Sequence, residues 1–175
     1  MAAISRDTLH DRESLLRSIA IGGLIVFVIQ ILHVWIASTI IQGIPFVSVW
    51  QYIASGLLGM PAFEGGLASA SLGLFLHLLI SLAVAAIFIM SAKRLPIVRR
   101  NVIVSSLLYG LVVWIVMNLI VTPLSATPAV PAPTTPWLIE AILEHVFGVG
   151  LALGILVRRR ATAAWAPKEA SHAQV

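Results

Sequence analysis

Cysteine is absent from this chain of 175 residues. That excludes disulfides, thiolate metal sites, covalently attached c-type haem and cysteine-ligated iron–sulfur clusters. Charge is scarce too. Asp, Glu, Lys and Arg together make up 10% of the residues, against about 25% in an ordinary soluble domain. A water-facing surface cannot be built from that composition. The H-x-x-x-H spacing of a zincin is missing, no Asp pair suits intramembrane proteolysis, and no Gly-x-Ser-x-Gly stretch supports a serine dyad around Ser81. Nothing therefore names a reaction, and enzymatic activity is not expected.

What is present is apolar. Hydrophobic residues account for 59% of the chain, and the mean hydropathy is +1.02. Four runs, residues 19–41, 67–92, 102–121 and 137–157, are each at least 20 residues long. A bilayer core takes about 20 helical residues to cross, and backbone groups in lipid must bond within their own helix. The expected fold is all-α: a bundle of four transmembrane helices over residues 19–157. A cytoplasmic segment, 1–18, precedes it. A basic tail, 158–175, follows and is expected to be disordered. The first run exceeds the roughly 7–15 apolar residues of a signal peptide, so it is read as a retained span.

The eleven Lys and Arg residues fix the expected topology. Arg6, Arg12 and Arg17 precede the first run. Lys93, Arg94, Arg99 and Arg100 fill the link between the second and third. Arg158, Arg159, Arg160 and Lys168 follow the fourth. None lies in the other two links, so the positive-inside rule places both termini and the middle link in the cytoplasm. The net charge of +4 is then a topology signal and an attraction to anionic lipid, not a nucleic-acid footprint. The expected partners are the lipid bilayer and either another membrane protein or a second copy of this chain.

The two links on the far side differ. Residues 42–66 carry Phe46, Trp50, Ile53 and Leu57 at helical spacing, with Pro45 to start a helix and Gly59 and Pro61 to stop it. The pattern predicts a short interfacial helix with Trp50 and Tyr52 at headgroup level. Residues 122–136 hold Pro123, Pro128, Pro131, Pro133 and Pro136. Such a link is extended and stiff, a strap across the bundle. The two helix pairs do not resemble one another as an inverted-repeat transporter requires.

Polar residues inside the spans are costly and usually face protein. The first run has Gln30 and His33, the second His77, the third Asn118, and the fourth Glu140, Glu144 and His145. Each histidine falls on a stripe of small residues: Gly23, Val26 and Ala37 with His33; Ala70, Gly73, Ser81 and Ala85 with His77; Ala141, Gly148 and Ala152 with His145. Such stripes let membrane helices approach closely. Gly150 and Gly154 add a packing motif on the fourth run. At about 1.5 Å per residue, the polar groups sit roughly 5–15 Å below the outer surface. Gln30, His33, His77, Asn118, Glu144 and His145 are thus expected to line one polar pocket in the outer half.

Several chemistries fit such a set. His33, His77 and His145 are candidate ligands for a divalent metal. Two histidines on different helices can hold a b-type haem. Glu beside His can relay protons, because imidazole titrates near neutral pH and a desolvated carboxyl shifts upward. Interhelical hydrogen bonds that only fix the bundle are the plain alternative.

From His77 onward the chain resembles the YagU-like family of bacterial inner-membrane proteins. The resemblance rests on His77 with Ser81, Pro96 and the basic link, Gly110, Pro123-Leu124, Pro128, Pro136-Trp137, Glu144 or His145, and Arg158-Arg159. It covers about half the chain. It implies an inner-membrane protein with a connection to survival in acid.

Overall fold

The computed structural model describes residues 6–129 and 133–164, with side chains described within 12–129 and 133–160. Among the described residues every regular element is helical. Helix α1 (Arg6–His33) runs straight into a π-helical segment, Val34–Ile41. Next come α2 (Phe46–Leu58), a 3-10 turn at Met60–Phe63, and α3 (Gly66–Arg94). A short α4 (Pro96–Arg100) leads to α5 (Val102–Val116), which continues through a π segment, Met117–Val121, into α6 (Thr122–Leu124). Helix α7 (Thr135–Leu143) continues likewise through Glu144–Leu151 into α8 (Ala152–Ala164).

Four continuous helices are long and apolar enough to cross a membrane: Arg12–Ile41, Gly66–Arg94, Val102–Leu124 and Thr135–Arg160. They are called here the first to fourth helices. All four extend beyond their apolar runs. The first is helical from Arg6 in the described residues, where the segment ahead of the run includes good helix formers such as Arg, Glu and Leu. The fourth continues through Arg158, Arg159 and Arg160 to Ala164. Residues 158–164 are therefore helical, which corrects the expectation of disorder there. The rest of that tail, 165–175 with Lys168, lies outside the described residues, as does Pro131.

Helix α2 starts after Pro45 and stops at Gly59, whose φ of +63° is a left-handed conformation that side chains resist. Its buried face is Trp50, Gln51, Ala54 and Ser55, and it packs on α3. Trp50 is only 3% exposed. Packing on α3 covers the indole, while Leu57 at 65% is open. The Gln51 amide donates to the Gly66 carbonyl at 3.2 Å and pins α2 to the start of α3. The proline-rich link crosses the same helix: the Ala126 N–H donates to the Gly56 carbonyl at 3.0 Å. The expected strap therefore lies on α2.

The first helix packs along the second, and the third along the fourth; the first and fourth also meet. Close approach in the second pair comes from missing side chains. A β-carbon on Gly110 would strike the His145 carbonyl, and one on Gly150 the Ser106 carbonyl. The core joins Val26, Val84, Ala85, Phe88, Ile89, Val149 and Leu153 from the first, second and fourth helices. The Tyr109 hydroxyl donates to the Val84 carbonyl at 2.8 Å and ties the third helix to the second. At the basic end the Arg160 guanidinium donates to the Ser18 hydroxyl, tying fourth to first. Leu24, Val28, Leu32, Trp35 and Ile36 on the first helix stay exposed, as a lipid-facing surface requires.

Candidate functional site

The polar residues of the first and fourth helices meet in two rungs. Gln30 and His33 are three apart, and Glu140 and Glu144 four apart, so each pair shares a helix face. The helices run antiparallel, and His33 faces Glu140 while Gln30 faces Glu144. His33 Nδ1 lies 3.2 Å from Glu140 Oε1. With its amide nitrogen turned to the carboxylate, Gln30 donates to Glu144 Oε1 and Oε2 at 3.1 and 3.2 Å.

His145 extends the second rung. Its Nδ1 is 2.9 Å from Glu144 Oε2 and 2.9 Å from the Ala141 carbonyl. Both neighbours are acceptors, so this nitrogen carries the proton and donates. The Glu144 carboxylate therefore gathers N–H groups from two helices. Its side chain is 7% exposed and that of His145 18%. The first rung is more open, at 24% for His33 and 38% for Glu140. Burial of a carboxylate is tolerated only when its oxygens are bonded in this way.

His77 belongs to the second helix. Its ring packs between Phe27 and Trp50, with centroids at 5.9 and 5.6 Å. His77 Nε2 and Trp50 Nε1 are both buried without a hydrogen-bond partner in the protein. Helix α2 thus does more than bridge the first two helices: it lays an indole over a membrane-embedded imidazole.

Asn118 does not join this group. It is exposed, and its amide donates to the Trp114 carbonyl of its own helix at 3.0 Å. Asparagine four residues past a carbonyl can bond back along the helix and needs no cross-helix partner. Of the six residues expected in the pocket, the structure joins Gln30, His33, Glu144 and His145 in the two rungs, lines the cleft with only His33 and Glu144, and packs His77 between Phe27 and Trp50. It adds Glu140, which the sequence reading counts as intramembrane but leaves out of the pocket. Its four-residue spacing from Glu144 is the signal that finds it.

The metal expectation fares differently. Among the described residues no three His, Asp or Glu side chains gather as a group that could hold a metal ion. His33, His77 and His145 therefore do not share a ligand geometry.

The helix register changes at the site. The π segment of the first helix opens right after His33, and that of the fourth opens at Glu144. A π turn spreads the backbone and redirects the side chains that follow it, and such turns concentrate at functional sites. A cleft of about 490 Å³ runs along the two rungs, open on one side, between Ile29 and His33 of the first helix and Glu140, Leu143 and Glu144 of the fourth. No protein-family model, curated protein or solved structure matches the chain.

Proposed function

We propose that this chain is a multi-pass bacterial inner-membrane protein, both termini cytoplasmic, whose polar rungs between the first and fourth helices respond to protons. Acid or envelope stress is the setting, in line with the YagU-like resemblance. The observation that carries the reading is the His–Glu contact across one helix interface, His33 with Glu140 at 3.2 Å, beside a second Glu, Glu144, that takes Gln30 from the first helix and its own neighbour His145 at 2.9 Å.

Each rung depends on its proton count. A proton on Glu140 removes its charge and weakens the acceptor that holds His33 Nδ1–H. A proton on Glu144 weakens the hold of Gln30 and His145. A proton on either imidazole turns a neutral contact into a charged pair, which is stronger in a low-dielectric site. The first rung opens onto the cleft; the second is sheltered. Proton load therefore alters how tightly the first and fourth helices hold each other.

The test is survival at low pH of cells carrying His33→Gln or His145→Ala, with protein levels matched to wild type. Impaired survival at normal abundance is expected. Unchanged survival in both variants removes the proton-linked role. Topology has its own test, since the chain has no native cysteine. A cysteine at Ala129 should react with an impermeant maleimide in spheroplasts, and one at Ser171 only after permeabilisation. The reverse pattern overturns the assigned orientation.

A further inference from the structure

We propose that the cleft between the first and fourth helices binds an organic cation with an apolar body, a lipophilic ammonium or phosphonium, drawn sideways from the bilayer. The inference goes beyond the proton-linked reading: it shares Glu140 with it but does not need a proton to move.

The volume, about 490 Å³, falls in the range of small-molecule sites, roughly 300–1,000 Å³. Ile29, Pro136, Ile139 and Leu143 make apolar walls. The mouth opens among residues that themselves face outward, Ile139 at 52% and Leu143 at 49% exposed, with Leu32 at 49% beside them on the first helix. These are surfaces for lipid, so the entrance is lateral. An occupant must therefore partition into hydrocarbon first.

The charge in the cleft has one sign. Glu140 and Glu144 line it, and no Lys or Arg does. Glu144 is already engaged by Gln30 and His145 and is 7% exposed. Glu140 is different. Its partner there is His33 alone, and its side chain is 38% exposed. A carboxylate at that depth is stabilised by an opposite charge far more than by a neutral imidazole. An anion would meet two carboxylates and be rejected. Among the described residues no Phe, Tyr or Trp lines the cleft, so a cation–π cage is not the means of recognition. Selection rests on charge and apolar volume, and many shapes of cation should be accepted.

Tetraphenylphosphonium and tetraphenylborate, one shape with opposite charges, separate these terms. Binding is measured at pH 8 to the full chain in phosphatidylcholine nanodiscs, against empty discs. Saturable phosphonium binding near one per chain is expected, with no protein-dependent borate binding. Glu140→Gln should weaken it by about tenfold or more, the usual effect of losing the charged partner of a sheltered ion. Leu143→Trp, which fills the cleft and leaves Glu140 in place, should abolish it even if Glu140→Gln proves unstable. Equal binding of both ions overturns the proposal. So does phosphonium binding that survives both substitutions, or an aminophospholipid that co-purifies in the cleft and is not displaced by phosphonium. Low-pH survival plays no part in this assay, so either idea can fail alone.

Discussion

Glu144 folds back over Gly148: its Oε1 lies 2.6 Å from where a β-carbon on residue 148 would stand. Glycine there makes room for a buried carboxylate. The obstructing atom is the end of a flexible side chain, so Gly148→Ala should leave folding nearly intact, within about 1 kcal/mol, the size of a helical Gly-to-Ala difference. It should nonetheless shift Glu144 and lengthen its contacts with Gln30 and His145. The expected result is a small fall in melting temperature with low-pH survival reduced as in His145→Ala. A large loss of stability would mean that the carboxylate cannot move aside.

Gly110 has the opposite character, because its neighbours are backbone: the His145 carbonyl and, at 2.8 Å, the Val146 α-carbon. Gly110→Ala must part the third and fourth helices. A loss of about 1–3 kcal/mol, the range for overpacking, is expected. Gly56 is the control, since a β-carbon there meets Thr127 Oγ1 at an ordinary 3.6 Å. Gly56→Ala should be neutral or stabilising. Thermal denaturation in detergent compares the two, and equal melting temperatures would contradict the packing described.

Gln30 and Glu144 should be energetically coupled. Gln30→Leu strips both amide N–H groups from a sheltered carboxylate, while Glu144→Leu removes the need for them. A double-mutant cycle is expected to give about 0.6–2 kcal/mol, the span seen for interhelical hydrogen bonds in membranes. A coupling of zero would show that the two side chains do not meet.

His77→Phe and His77→Ala should diverge. Phenylalanine keeps the ring between Phe27 and Trp50 and removes a buried nitrogen without a protein partner. Stability should hold or rise. Alanine opens a cavity, at a cost of about 3–5 kcal/mol by analogy with Phe-to-Ala changes. If His77→Phe is stable yet fails in acid, the imidazole serves function; if it is stable and survives, the ring serves packing.

The four membrane helices are legible in the sequence because hydrocarbon thickness sets a minimum run of apolar residues. Their ends are not, since helix continues past the apolar runs, from at least Arg6 and to at least Ala164. The stripes of the first two helices point inward as read, with Gly23, Val26, Ala37, Ala70, Gly73, Ser81 and Ala85 buried, whereas Ala141, Gly148 and Ala152 of the fourth are only half-buried. The stripe on the first helix is why Gln30 and His33 could be read as facing a neighbour. Asn118 lacks such a stripe, and its depth alone misleads. That Trp50 packs on His77 is not legible either, because the pairing joins two separate helices. The π segments leave no trace in hydropathy, because one extra residue per turn barely alters an almost uniformly apolar run.

The bond between Arg160 and Ser18 makes the basic end of the bundle a pivot. From Ser18 to His33 the first helix is a lever of about 22 Å, at 1.5 Å per residue. A tilt of about 5° around that pivot shifts the far rung by about 2 Å, enough to carry a hydrogen bond past its working length. The first and fourth helices can thus disengage at His33 and Glu140 while staying hinged at Ser18, and the motion needs no melting of either helix.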